Sequence, residues 1–126
     1  MKNKFRGTGV ALVTPFDDNN QVDFDALDKL VAYVTDNGVD YLVVFGTTAE
    51  TATLNSDEKI QIKKRILDKN AGKLPIVLGI GGNNTAEVVE AIKTTDLSGV
   101  DAILTVTPYY NKPNQRGLYE HYKAVA

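Results

Sequence analysis

Three short stretches carry the residues whose types and spacing could do chemistry. Phe45-Gly46-Thr47-Thr48-Ala49-Glu50-Thr51 sets two hydroxyls after a glycine, and hydroxyls beside free backbone N–H groups can hold a small carboxylate or phosphate. The plainer alternative is a tight turn at Gly46 in which Thr47 and Thr48 merely satisfy loop backbone. Gly79-Ile80-Gly81-Gly82-Asn83-Asn84-Thr85 invites a dinucleotide reading. The third glycine of G-x-G-x-x-G, counted from Gly79, would fall on Asn84, so a turn that lets backbone approach a ligand or another loop is expected instead. Thr107-Pro108-Tyr109-Tyr110-Asn111-Lys112-Pro113 places adjacent tyrosines between prolines, a poor setting for a core pair. A phenol there can relay protons, donate hydrogen bonds or pack at an interface. Lys112 reads as a solvated loop lysine, because an amine reacts near neutrality only when desolvated or crowded by charge. His121, the single histidine, is expected at the surface or an interface.

Those stretches stand at the ends of apolar, β-branched runs at residues 9–14, 41–45, 76–80 and 102–106, each followed by a helical pattern. The alternation predicts (βα) four times over, with parallel strands clad in helices, because continuous apolar runs mark strands covered on both faces. Asp23 opens the first helix, whose stripe is Phe24, Leu27, Leu30, Val31 and Val34, with Asn37-Gly38 as its stop. Asn55 with Glu58 predicts a capping box for the second, and Asn84 with Glu87 the same for the third. A fourth helix begins near Gln115, carries Leu118, Tyr122 and Val125, and meets no terminator before Ala126, which predicts a longer parent chain. Leu12-Val13-Thr14-Pro15-Phe16 and Thr105-Val106-Thr107-Pro108-Tyr109 close the first and fourth strands alike, a weak internal repeat. A small doubly wound sheet and half of a (β/α)8 barrel both fit this pattern, since such barrels take about 250 residues.

Composition removes several classes of function. The chain has 126 residues, a formal net charge of -2 and no cysteine. One domain is expected, without a disulfide framework, thiolate catalysis or sulfur-ligated zinc. No basic surplus points to nucleic acid or a membrane surface, and no signal peptide or spanning segment is expected. Serine occurs only at Ser56 and Ser98, so no Ser-His-Asp triad is expected. No carboxylate pair at ligand spacing stands out either, so no metal is expected.

Residues 7–126 resemble the dihydrodipicolinate synthase family of class I pyruvate-dependent aldolases. The likeness rests on Gly9-Val10-Ala11-Leu12-Val13-Thr14-Pro15-Phe16, Gly46-Thr47-Thr48-Ala49-Glu50-Thr51-Ala52-Thr53-Leu54 and Leu104-Thr105-Val106-Thr107-Pro108-Tyr109-Tyr110-Asn111-Lys112-Pro113. The paired threonines favour this branch over sialic acid lyases, which typically carry Gly-Ser-Thr. The resemblance implies a (β/α)8 TIM barrel, of which this chain supplies the first four βα units, with residues 1–126 as the N-terminal half of a single barrel domain. It implies a cytoplasmic lyase that condenses pyruvate, held as a lysine Schiff base, with aspartate 4-semialdehyde to give 4-hydroxy-tetrahydrodipicolinate for lysine biosynthesis. By resemblance Thr47 and Tyr110 relay protons and Thr48 contacts the pyruvate carboxylate. Tyr110 would reach into a neighbouring subunit of a homo-oligomer, a tetramer built as a dimer of dimers. No cofactor is implied.

The resemblance also puts the Schiff-base lysine on a later strand, and none of the eleven lysines lies in a predicted strand, so residues 1–126 alone are expected to be inactive. A regulatory lysine pocket in some members corresponds to Thr51, Ala52, Lys59, Asn83, Glu87 and Tyr109. Lys59 stands where many inhibited members have histidine, and its charge would repel the ammonium of bound lysine. Two other readings remain: another pyruvate aldolase such as N-acetylneuraminate lyase, and a non-catalytic α/β assembly module.

Overall fold

A computed structural model describes residues 4–126. In chain order the elements are β1 (Gly9–Ala11), α1 (Phe24–Asp36), β2 (Tyr41–Val44), a 3-10 turn (Thr47–Ala49), α2 (Ser56–Asn70), β3 (Ile76–Gly79), α3 (Thr85–Thr94), β4 (Ala102–Leu104) and α4 (Gln115–Val125). The βα alternation predicted from the apolar runs is present throughout. Each strand stops short of its expected end, because pairing gives way to loop geometry before the apolar run finishes. Phe45, next after β2, already sits at φ 58, outside the extended region that a ladder requires.

Local signals set most helix ends. The Asp23 carboxylate accepts from the Ala26 N–H at 2.8 Å, and Asn37 caps the far end of α1. At α2 the predicted box forms: the Asn55 side chain accepts from the Glu58 N–H at 2.9 Å while the Glu58 carboxylate accepts from the Asn55 N–H at 2.8 Å. That helix ends in Ala71 at φ 48, and buried Asn70 bridges both backbone groups of Leu74. The box expected at α3 does not form. Asn84 accepts from Ala86 N–H instead, and its amide donates to Glu87 Oε1 at 3.0 Å, so side chain meets side chain and the reciprocal backbone bond is missing. At α4 Asn114 accepts from the Gly117 N–H at 2.9 Å.

The strands are parallel and ordered β1-β2-β3-β4. Right-handed crossovers between sequential neighbours put every helix on the same face, whereas a doubly wound sheet must reverse its strand order to cover both. Helix α1 packs on α2, and α3 on α4. On the covered face Leu12, Leu42, Val44, Ile76 and Leu78 join Leu27 and Val31 of α1 and Ile62 and Ile66 of α2 in one core. Cross-strand partners Ala11, Val43, Val77 and Ala102 make a row on the other face. Only Val77, on an inner strand of that row, is buried. Val13, Leu104 and Val106 are each 47% exposed. The expectation of cover on both faces therefore fails among the described residues. A sequential parallel sheet with helices outside and an apolar inner face is the arrangement of consecutive units of a (β/α)8 barrel, whose interior is filled by side chains from all its strands.

Candidate active site

Because all strands run the same way, the segments that follow them gather at one end of the sheet. All three stretches singled out from the sequence lie there. Behind β2, Phe45 at φ 58 and Glu50 at φ 53 bracket the turn that carries Thr47 and Thr48. Left-handed backbone costs an ordinary L-residue about 1 kcal/mol or more, so such a turn persists only where its surroundings hold it. Several contacts do so. Ala49 N–H donates to Gly46 C=O and Glu50 N–H to Thr47 C=O, each at 3.0 Å. Thr53 gives both its N–H and its hydroxyl to Glu50 C=O, each at 2.9 Å. Ala49 and Leu54 are buried anchors. Thr47 and Thr48 stand exposed, and their hydroxyls make no hydrogen bond among the described residues. That decides against the reading in which these hydroxyls satisfy loop backbone.

Two residues shape this turn from outside it: Thr14, whose role escaped the sequence reading, and Gly79, which belongs to the glycine run it singled out. The hydroxyl of buried Thr14, just past β1, donates to Ala49 C=O at 2.8 Å. Gly79 ends β3 where a Cβ would lie 2.0 Å from the Phe45 carbonyl oxygen, so only glycine admits that approach. Gly81 is a second close approach, with a Cβ position 2.9 Å from Val106 N. The expectation that the glycines after β3 serve backbone proximity is met.

Behind β4, Tyr110 is 90% exposed and sits at φ 67, with no partner for its hydroxyl among the described residues. Asn111 braces it from the next position, donating its N–H to Tyr109 C=O at 2.8 Å and its side-chain amide to Asn83 C=O at 3.1 Å. Lys112 is exposed, as a solvated loop lysine should be. Thr51, Ala52 and Lys59 follow the β2 end, Asn83 and Glu87 the β3 end, and Tyr109, 56% exposed, the β4 end. Among the described residues no hydrogen bond joins any two of these six directly; Asn111 links Asn83 to Tyr109.

His121 departs from expectation. It is buried at 3% exposure, with Nδ1 2.8 Å from Thr85 Oγ1 and its ring edge-on to Tyr122. Position 121 continues the stripe of Leu118, Tyr122 and Val125 at helical spacing, so packing α4 on α3 carries it inward. The carboxylates whose acidity shifts lie away from the threonine turn. Hydrogen bonds from Arg65 hold Asp28 below its ordinary value, those from Ser98 do so for Asp96, and those from Lys4 and then the Ile76 N–H for Asp101. No strand among the described residues carries a lysine, and no cluster of potential metal ligands occurs among them.

A family model described as the Dihydrodipicolinate synthetase family matches residues 4–126. A 4-hydroxy-tetrahydrodipicolinate synthase of Flavobacterium psychrophilum is 61% identical over 122 residues, covering 97% of this chain and 42% of that protein. A crystal structure of dihydrodipicolinate synthase from Thermotoga maritima superposes with a TM-score of 0.91 at 43% identity, covering 98% of this chain and 41% of that one. The enzyme of Cyanidioschyzon merolae, in a crystal structure with lysine bound, superposes at 0.87 with 39% identity, over 99% and 43% of the two chains. The chain thus spans about 42% of the length of such curated relatives.

Proposed function

The chain belongs to the dihydrodipicolinate synthetase family, and from that premise we propose that it is the pyruvate-binding and proton-relay half of a cytoplasmic synthase. The whole protein condenses pyruvate with aspartate 4-semialdehyde to give 4-hydroxy-tetrahydrodipicolinate in lysine biosynthesis. The observation that carries this reading is the pair of exposed, unbonded hydroxyls of Thr47 and Thr48, fixed in a strained turn at the carboxyl end of β2.

In this reading Thr48 holds the pyruvate carboxylate by hydroxyl and backbone N–H, and Thr47 passes protons to and from the Schiff-base intermediate. Tyr110 extends that relay into a second subunit, which accounts for a tyrosine held almost wholly exposed on a braced loop. Moving protons along fixed hydroxyls keeps the intermediate away from bulk water. The amine that forms the Schiff base has no counterpart on these four strands and comes from strands beyond them. The working assembly is a homo-oligomer, a tetramer of two dimers. No helix among the described residues is long and apolar enough to cross a membrane.

Intact mass after incubation with pyruvate and borohydride tests the reading. A reduced pyruvate adduct on the whole protein is expected; its absence there, with aspartate 4-semialdehyde left unconsumed, overturns it. The same reading extends to regulation. Lys59, half-buried in the first turn of α2, opposes the ammonium of an incoming lysine, so feedback by lysine is weak or absent. Calorimetry showing tight lysine binding at this pocket would defeat that extension.

A further inference from the structure

Thr14 is 5% exposed, next to the core yet carrying a hydroxyl. Valine has the same branched shape and would be favoured by burial, since a buried hydroxyl costs free energy unless it finds a partner. The partner here is the carbonyl of Ala49, at 2.8 Å and 35 residues away in sequence. Among the described residues it is the one hydrogen bond that ties the threonine turn to the segment following β1. The other bonds of that turn, Ala49 to Gly46, Glu50 to Thr47 and Thr53 to Glu50, all close within it. They fix its shape and leave its orientation on the sheet free.

We propose that Thr14 is a positioning residue that sets the rotation of the Thr47–Ala49 turn and so aims the Thr47 and Thr48 hydroxyls. The inference rests on the proposed role of those two threonines. Ala49 directly follows Thr48 in a turn three residues long, so rotating its carbonyl moves both hydroxyls as one body. The left-handed residues on either side, Phe45 and Glu50, supply strain that would relax the turn if the tie were cut. Buried Ala49 holds the end of the turn against the sheet, and the Thr14 hydroxyl gives that contact a direction. An apolar side chain of the same shape could supply the packing without the direction.

The test compares T14V and T14S in the whole protein. T14V is expected to raise KM for pyruvate about tenfold, the net worth of one hydrogen bond, while KM for the aldehyde stays within about twofold. T14S keeps the donor and is expected to restore most of the pyruvate KM. Amide exchange at Ala49 and Glu50 should rise about tenfold in T14V and fall back in T14S. Unchanged pyruvate KM in T14V, with wild type forming its borohydride-trapped adduct, overturns the positioning role and leaves the proposed function standing. If wild type forms no adduct, the proposed function fails by itself. Amide exchange then decides the tie, and equal rates in wild type and T14V overturn it. Should T14V fail to fold, T14A, which also lacks the donor, takes its place under the same outcomes.

Discussion

The hydroxyl of Thr85, first residue of α3, meets Nδ1 of His121 on α4 at 2.8 Å in the buried seam between the two helices. The other ring nitrogen, Nε2, is buried with no partner among the described residues. Removing one member of such a pair strands the other, whereas removing both restores an apolar seam. T85V is expected to cost about 1–2 kcal/mol of unfolding free energy, and T85V with H121L less than the sum of the two single changes. Urea denaturation of the four variants measures this, and strict additivity would show that the contact carries no coupling.

Acid should weaken the fold through Asp101, which accepts from Lys4 Nζ at 2.8 Å and from Ile76 N–H at 2.9 Å and so ties the start of β4 to the start of β3. Both bonds hold its carboxyl below the ordinary value. A folded pKa lower than the unfolded one means stabilisation that is complete above the unfolded value, near ~4, and lost as pH falls through the folded value. The unfolding midpoint should therefore drop between about pH 5 and 3. D101N keeps an acceptor for Ile76 but loses the charge pair, so its profile should be flatter. Asp28 and Asp96 act in the same direction, so part of the slope should survive.

G79A should damage the site from behind. The added methyl would sit 2.0 Å from the Phe45 carbonyl oxygen, a backbone atom that cannot swing aside, so β2 and β3 must separate where the threonine turn begins. A loss of about 2 kcal/mol or more is expected, with the largest shifts in backbone NMR signals at residues 45–50. Shifts confined to β3 would count against this account.

Y110F separates function from stability. At 90% exposure the ring contributes no packing within the chain, so stability should change by less than about 0.5 kcal/mol. Loss of the hydroxyl should lower kcat of the whole protein about 100-fold if the phenol relays protons. Wild-type kcat in Y110F would remove Tyr110 from the relay.

Much of the fold was legible because its signals are local. Apolar runs of strand length, the stripe from Phe24 to Val34, the Asp23 cap and the Asn55–Glu58 box each act within a few residues, and each formed, the strands shorter than their runs. The same holds for the chemistry-bearing segments, since a segment following a parallel strand has only one end of the sheet on which to lie. Asn84 shows the limit: spacing promised a box, and the amide turned to the Glu87 side chain instead.

The sequence by itself thus determined the alternation of strands and helices and the end of the sheet at which Thr47, Thr48 and Tyr110 gather. Only the tertiary structure decided that the strands follow in order 1-2-3-4, which leaves one apolar face open and selects barrel units over a doubly wound sheet. It also decided that His121 goes inward, that Phe45 is left-handed above Gly79, and that Thr14 ties down Ala49. These are contacts between residues some 34 to 36 positions apart in sequence. Their partners are chosen by how strands stack and helices cover them, and no short stretch of chain encodes that choice.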